Sequence, residues 1–491
     1  MNDRADHLLS TLPSMTALLA HPEVRQWSEA VPGALVKTSL SAALQQFRDA
    51  ILQGRLTSPV DIEDVIGVAE EELTRRSMPS LRRVINATGI VLHTGLGRAP
   101  LSAEAIEAIA ETASGYCNLE FDLSTGHRGR RLSHVTERLA ELTGAEAALV
   151  VNNNAAATYL ILHVLAEGRE VLVSRGQLVE IGGSFRLPQI MSAGGAILRE
   201  VGTTNRTRAA DYEAAATERT ALVLRVHPSN YRVVGFSEEA TLAELTSLAR
   251  ARGLLCVDDL GSGAIVDLTA HGLPPEPCVR DSIRTGADLV CFSGDKLFGG
   301  PQCGMIVGKR VIVDRLAAHP LMRALRVDKL TLAALEATLR HYADDGEALR
   351  SVPALAMLNA PLAELADRAN DLAHRLQEAA PSERFLVGSD TTYAGGGAMP
   401  VVEFETVVVR WIPSFATASD AATRLRGAEV PVVARIRDDA VCFDLRTVRA
   451  ADFDDLIAAV EGVVYDAAGE EDDDIDEDDG PPDARVRLPV L

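Results

Sequence analysis

The sequence predicts an α/β protein with a mainly parallel sheet, preceded by a helical N-terminal part and followed by a smaller α+β part. Three observations carry this reading. Between Asn86 and about Thr331, short continuous apolar runs alternate with helical stretches, as strands do when a parallel sheet buries them on both faces. Before that region, from Asp6 to about Ser77, apolar residues recur every three or four positions, the period of amphipathic helices. After it, from Leu330, helical stretches lead into strand-rich segments and a final helix.

Taken in order, LLSTL, MTALLA, LSAALQQFRDAILQG and VDIEDVIGVAEEEL form a helical domain over residues 1–80. The large domain, 81–335, takes its strands from AALVV at 147–151, EVLVS at 170–174, ALVLRV at 221–226, LLCVD at 254–258, DLVCFS at 288–293 and GMIVG at 304–308. The small domain, 336–468, continues the helical LTLAALEATLRHYADD with PLAELADRANDLAHRLQEA, then VVEFETVVVRW, PVVARI and AVCFDLR as strands, and ends on the helix ADFDDLIAAVEGVV. In the remainder, 469–491, EEDDDIDEDD and GPPDARVRLPVL hold too little apolar surface to offset ordering entropy, which predicts a disordered, solvated tail.

Composition narrows the function classes. With 491 residues, 47% apolar and 24% charged, the chain is long enough for several folded domains. Its six cysteines (Cys117, Cys256, Cys278, Cys291, Cys303, Cys442) are far apart and form no Cys-x-x-Cys pair. That argues against a zinc ribbon or a dithiol redox motif and fits a reducing cytoplasm. No basic segment followed by an apolar one opens the chain, and no uncharged apolar run reaches about eighteen residues, so neither secretion nor membrane insertion is expected. Net charge is −22, with nine acids between Glu470 and Asp479. Such a field repels nucleic acid, DNA included, and a polyanionic ligand needs local basic sites.

The densest chemistry lies in Ser293-Gly294-Asp295-Lys296-Leu297-Phe298-Gly299-Gly300. A lysine directly after an apolar strand stands at the C-terminal rim of a parallel sheet, where open α/β folds bind ligands. A P-loop is excluded, because Gly300 follows where a lysine is required. Alone, the segment reads equally well as a surface lysine in a glycine-rich turn. It gains meaning from Asp258 and Asp259 at the end of LLCVD. A lysine that forms a Schiff base and a carboxylate against a pyridinium nitrogen are the two protein groups that make pyridoxal phosphate an electron sink. Asn152-Asn153-Asn154-Ala155 opens a helix after AALVV, and exposed backbone N–H groups there suit a phosphate, although helix capping accounts equally well for the asparagines. Ser293 can add a hydroxyl, and Asn230, after ALVLRV, can reach the cofactor's phenolic oxygen.

Arginines supply oxyanion ligands. Arg98 lies in Thr94-Gly95-Leu96-Gly97-Arg98, and Arg323 and Arg326 lie three apart in HPLMRALRVDKL, on one face of a predicted helix. Forked guanidiniums suit phosphate-like anions, though each arginine taken singly is more often a solvated or salt-bridged side chain. Gly95-Leu96-Gly97 fails as a dinucleotide loop, since Pro100 replaces the third glycine. The run Gly126-His127-Arg128-Gly129-Arg130-Arg131 can meet a polyanion or balance nearby acids. No His/Cys grouping predicts a metal site, and no Gly-x-Ser-x-Gly supports a serine nucleophile.

Together RRVINATGIVLHTGLGRAPLS, STGHRGRR, VVNNNAAAT, SRGQLVEIGGSFRLP, EVGTTNRT, DDLGSGA, SGDKLFGGPQCGMIVGKR and HPLMRALRVDKLTLAALEATLRHY resemble bacterial selenocysteine synthases, the L-seryl-tRNA(Sec) selenium transferases, over about Leu8 to Val464. The resemblance implies a pyridoxal-phosphate-dependent transferase of the aspartate aminotransferase fold (fold type I), assembled as a ring of dimers, with a decamer expected, and with active sites at dimer interfaces. It implies conversion of seryl-tRNA(Sec) to selenocysteinyl-tRNA(Sec) by selenophosphate, through a cofactor aldimine and a dehydroalanyl-tRNA intermediate. By the same resemblance Lys296 is the Schiff-base lysine with Asp295 beside it, and Arg98, Arg323 and Arg326 hold the selenophosphate-like anion. Asp258, expected at the strand's end, is favoured over Asp259 as partner of the ring nitrogen. The helical N-terminal domain resembles a tRNA-recognising domain, yet its acids outnumber its bases, so counterion release explains little of its binding and shape recognition is expected instead. Two rivals stand beside this reading. One is a pyridoxal-phosphate lyase or transferase of the same subgroup that acts on a small amino acid or amino sugar phosphate without tRNA. The other is a cofactor-free RNA-binding scaffold that has kept the fold.

Overall fold

The computed structural model describes residues 2–181 and 185–475. The chain divides into two compact units, one formed up to Arg83 together with the stretch from Ala467 onward, the other by Val84–Asp466. In the first, five helices span Asn2–Thr11, Met15–Ala20, Pro22–Ala30, Gly33–Leu52 and Ile62–Ser77. The helix Gly33–Leu52 buries Val36, Leu40, Ala43, Leu44, Phe47 and Ile51, the three-and-four spacing that places them on one face. They share a core with Val65, Ile66, Ala69 and Leu73 of the last helix. That helix starts where Asp61 and Asp64 form a reciprocal capping box, which satisfies amide groups the first turn leaves unpaired.

The second unit is built on a seven-stranded sheet in the order Ala147–Val151, Gly304–Gly308, Leu289–Ser293, Leu255–Asp259, Thr220–Val226, Glu170–Ser174, Ile197–Val201. All neighbours pair in parallel except Gly304–Gly308, which runs antiparallel to both of its neighbours. The six expected strands are all present. The seventh, Ile197–Val201, escapes a search for apolar runs because it is an edge strand, with only Val201 buried. The strand expected at 254–258 runs one residue further, to Asp259. Helices Asn154–Ala166 and Leu242–Arg252 cover opposite faces of this sheet, within separate clusters of buried side chains.

A five-stranded sheet follows, in the order Ile85–Ala87, Val432–Arg437, Ala440–Asp444, Glu403–Ile412, Arg384–Tyr393. Its first strand comes from the beginning of the region expected to be the large domain and pairs in parallel with Val432–Ala434. The segment leading to Arg98 therefore starts from the C-terminal sheet. Helix Lys329–His341 crosses the boundary expected at 335. Helix Phe453–Ile475 continues into the acidic run expected to be unstructured, while the rest of that tail, 476–491, lies outside the described residues. Among the described residues no helix is long and apolar enough to cross a membrane.

Candidate active site

The strand Leu289–Ser293 ends in a turn that returns as Gly304–Gly308, and Lys296 sits inside this turn. Leu297 and Phe298 are fully buried, with Phe298 stacked on Tyr342 at 5.0 Å and its carbonyl accepting the Tyr342 hydroxyl at 2.7 Å. These two anchors draw the preceding lysine inward, and Lys296 is only 5% exposed. The chain has four lysines. Lys37 and Lys309 are exposed and Lys329 is half-buried, which leaves Lys296 as the one interior amine. Burial, and then the Arg98 cation, hold it below the ordinary range of a lysine, because both disfavour the ammonium form.

Arg98 donates to Asp295 at 2.7 Å, and Ala99 N–H donates to the Asp295 carbonyl at 3.2 Å. Arg98 adopts φ +64° directly after Gly97 at φ +89°, a backbone turn that L side chains rarely make. The structure thus joins Lys296, Asp295 and Arg98. It separates Arg323 and Arg326 from the predicted helix face. Helix Met322–Leu325 is a single turn and Arg326 lies past it in extended conformation. Arg326 is 3.9 Å from Glu120, and desolvation followed by repulsion from Arg131 and Arg323 lowers its pKa. Asn152 N–H donates to the Leu325 carbonyl at 2.9 Å, which ties this second arginine cluster to the strand end below the asparagines. Of the basic loop, Arg128 and Arg131 both pair with Glu120.

The two aspartates divide differently from the expectation that favoured Asp258. Successive strand residues face opposite sides. Asp258 is turned into the protein, where Arg225 donates to it at 3.0 and 3.2 Å and the Ser282 hydroxyl at 2.7 Å. Asp259, the strand's actual last residue, accepts Asn154 Nδ2 at 2.8 Å and the Thr158 hydroxyl at 3.1 Å. It lies within electrostatic reach of Lys296, and its own burial raises its pKa. Asn230 is also corrected. It is exposed and its amide donates to the Glu180 carbonyl at 2.8 Å, while Ser229, one residue earlier, is buried. Ser293 closes its strand in a buried position.

Asn153 caps helix Asn154–Ala166, its side chain accepting Ala156 N–H at 2.8 Å. The amides of Asn154 and Ala155 at the helix start have no partner inside the helix, a local setting for a phosphate. A close approach keeps this end in place. A Cβ at Gly304 would lie 2.1 Å from the Asn153 carbonyl oxygen.

The residue types around Lys296 have the chemistry to hold pyridoxal phosphate. Buried polar atoms rarely lack hydrogen bonds, yet Asn154 Oδ1, His227 Nε2, Ser229 Oγ, Ser262 Oγ and Glu276 Oε1 have none among the described residues. A Cβ at Gly261 would sit 3.5 Å from Lys296 Nζ and 3.8 Å from Ser229 Oγ. The segment His227-Pro228-Ser229 follows an expected strand, whereas no sequence pattern singles out Glu276. A Cβ at Gly397, where φ is +98°, would be 2.7 Å from Lys296 Nζ. The triple glycine Gly395-Gly396-Gly397 is the one sequence signal for that wall.

The sequence model of SelA, described as L-seryl-tRNA selenium transferase, matches residues 84–449. The chain belongs to the L-seryl-tRNA selenium transferase family. It is similar to the L-seryl-tRNA(Sec) selenium transferase of Geobacter sulfurreducens, 47% identical over 456 residues that cover 92% of this chain and 98% of that protein. To the enzyme of that name from Solidesulfovibrio magneticus it is 48% identical over 460 residues, 92% and 97% of the two chains. The solved structure of D-glucosaminate-6-phosphate ammonia-lyase shares the fold, with TM-score 0.53 at 21% identity over 79% of this chain and 97% of that one. The fold is that of the pyridoxal-phosphate-dependent transferases of fold type I. Lys296, Asp259, Arg98, Arg323 and Arg326 all lie inside the family-matched span.

Proposed function

We propose that the chain is a selenium transferase that converts seryl-tRNA(Sec) to selenocysteinyl-tRNA(Sec) with selenophosphate as donor. The observation that carries this reading is the single interior amine, Lys296, set between the Asp259 carboxylate and the Arg98–Asp295 pair in a chain of this family.

Pyridoxal phosphate, when bound, supplies the electron sink that acidifies the Cα proton of a seryl ester. Lys296 would hold its aldehyde carbon, Asp259 its ring nitrogen, and Asn153, Asn154 and Ala155 its phosphate, with Ser229 within reach of the same space. Every other part of the work falls to the protein. Held below its ordinary pKa, Lys296 reaches more readily the neutral form that can take and return the Cα proton. Asn154 and Thr158 fix the orientation of the Asp259 carboxylate. Asp295 holds the Arg98 guanidinium beside the amine, where it can orient donor phosphate oxygens. Arg323 and Arg326, which repel each other, gain from a bound oxyanion.

The helical unit up to Arg83 is assigned to tRNA recognition, the protein to the cytoplasm, and the working form to a ring of dimers. The decisive experiment is incubation of pure, cofactor-loaded protein with seryl-tRNA(Sec) and selenophosphate. Selenium on the tRNA is the expected result. Absence of selenium with a loaded enzyme would favour a lyase or transferase that acts on a small phosphorylated substrate. Deleting residues 1–77 should abolish tRNA binding and leave cofactor absorbance unchanged.

A further inference from the structure

Glu276 has no part in the assignments above, yet its side chain is 2% exposed and both of its oxygens are directed at other walls of the chamber. Oε2 accepts the Met399 N–H at 3.1 Å, across 123 residues of sequence. Oε1 faces His227 Nε2 at 3.4 Å, and neither atom has a hydrogen-bond partner. The His227 amide in turn donates to the Asp259 carbonyl at 3.0 Å.

The held loop is unusual. Gly395, Gly397, Met399 and Val401 all have positive φ, and two of them are not glycine. Left-handed backbone at Met and Val is unfavourable and persists only where surroundings impose it. At one end Leu92 N–H donates to the Ala394 carbonyl at 2.7 Å. At the other, the imposed contact is Glu276 on Met399. Between these ties Gly397 lies so close to Lys296 that no side chain fits there.

We propose that Glu276 is a positioning residue. Through Oε2 it holds Met399, and with it the Gly395–Val401 loop against Lys296, while Oε1 faces His227 Nε2 at 3.4 Å. The inference rests on the selenium-transferase reading for its purpose, and on contacts within this chain for its content.

The test uses the full chain. In Glu276→Leu, hydrogen–deuterium exchange over residues 394–402 should rise roughly tenfold, and the cofactor Kd, read from the visible band, should weaken by a similar factor, as expected when a buried amide loses its acceptor. Glu276→Gln keeps a carbonyl for Met399, so loop exchange should stay close to wild type. Its lost charge toward His227 should still raise the cofactor Kd severalfold. Wild-type exchange over 394–402 in the Leu variant would overturn the proposal. If the Leu variant does not fold, unchanged cofactor Kd in the Gln variant overturns it. A wild-type protein with no borohydride-sensitive band would sink the functional reading, while the exchange comparison would still decide the role of Glu276.

Discussion

Two buried polar regions of the Val84–Asp466 unit are made from the same residue types and end in different states. In the C-terminal sheet, Asp444 accepts the Thr406 hydroxyl at 2.6 Å, Arg435 at 2.9 Å and Arg446 N–H at 3.0 Å. Gly89 packs so tightly on it that a Cβ would stand 2.1 Å from the carboxylate. Both regions hold buried polar atoms without hydrogen-bond partners among the described residues, Asp390 Oδ2 and Thr392 Oγ1 in the first and Ser229 Oγ and Glu276 Oε1 in the second, but Asp390 and Asp444 each lie within 3.1 Å of Arg435, whereas Lys296 has no ion pair among the described residues. A buried amine with no counter-charge is costly to ionise, which leaves it available as a nucleophile. The first region is a structural clamp and the second is the site proposed to hold the cofactor.

Four substitutions sharpen that contrast. Lys296→Ala should lower selenium transfer by at least roughly 10²–10⁴-fold, the scale of a lost proton-transfer group, and abolish the visible cofactor band. Its chemical-unfolding midpoint should match wild type or exceed it, since a buried amine is removed. Asp444→Ala should do the reverse. Stripping one partner from a buried ion pair costs about 3–5 kcal/mol, so the unfolding midpoint should fall sharply, with activity lost in proportion to unfolded protein. Next comes the aspartate pair. Asp259→Asn should reduce turnover on the order of 10²-fold at near-normal stability. Asp258→Asn, which disturbs the Arg225 and Ser282 contacts, should cost about 1–3 kcal/mol of stability and leave the folded enzyme active. Equal effects of these two on turnover would erase the distinction between the strand's faces.

The smallest effect concerns pH. Attack on an aldehyde requires the neutral amine, and Lys296 lies below the ordinary lysine value of 10.5 through burial and the Arg98 charge. The rate of cofactor attachment should therefore rise with pH to a midpoint below 10.5. Removing the guanidinium in Arg98→Met relieves the repulsion and leaves Asp295 unpaired. Both changes favour the ammonium, so the midpoint should move upward. A downward or absent shift would show that Arg98 does not act on this amine.

Much of the site is legible in the amino-acid sequence alone. Lys296 follows an apolar strand, and Asn153 and Asn154 open a helix after another, so local pattern places both at one sheet rim. The choice between Asp258 and Asp259 turns on a one-residue shift of the strand end. Adjacent strand residues face opposite sides, and which side meets the Lys296 turn is set by partners distant in sequence, Arg225 and Ser282 for Asp258 and Asn154 and Thr158 for Asp259. Asn230 fails for a related reason, since turn residues beyond Val226 carry no periodicity to orient them. Glu276 and the Gly395–Gly397 loop are invisible to sequence pattern because their contacts with His227 and Lys296 span long sequence separations, which no local signal encodes. Ile85–Ala87 is misplaced in the same way, because its partner strand lies near the other end of the unit.

The most direct test of the central claim is borohydride reduction of the purified protein, followed by peptide mass analysis of its four lysines. A phosphopyridoxyl group on Lys296 alone is the predicted result. An unmodified Lys296, or the group carried by Lys37, Lys309 or Lys329 instead, would contradict it.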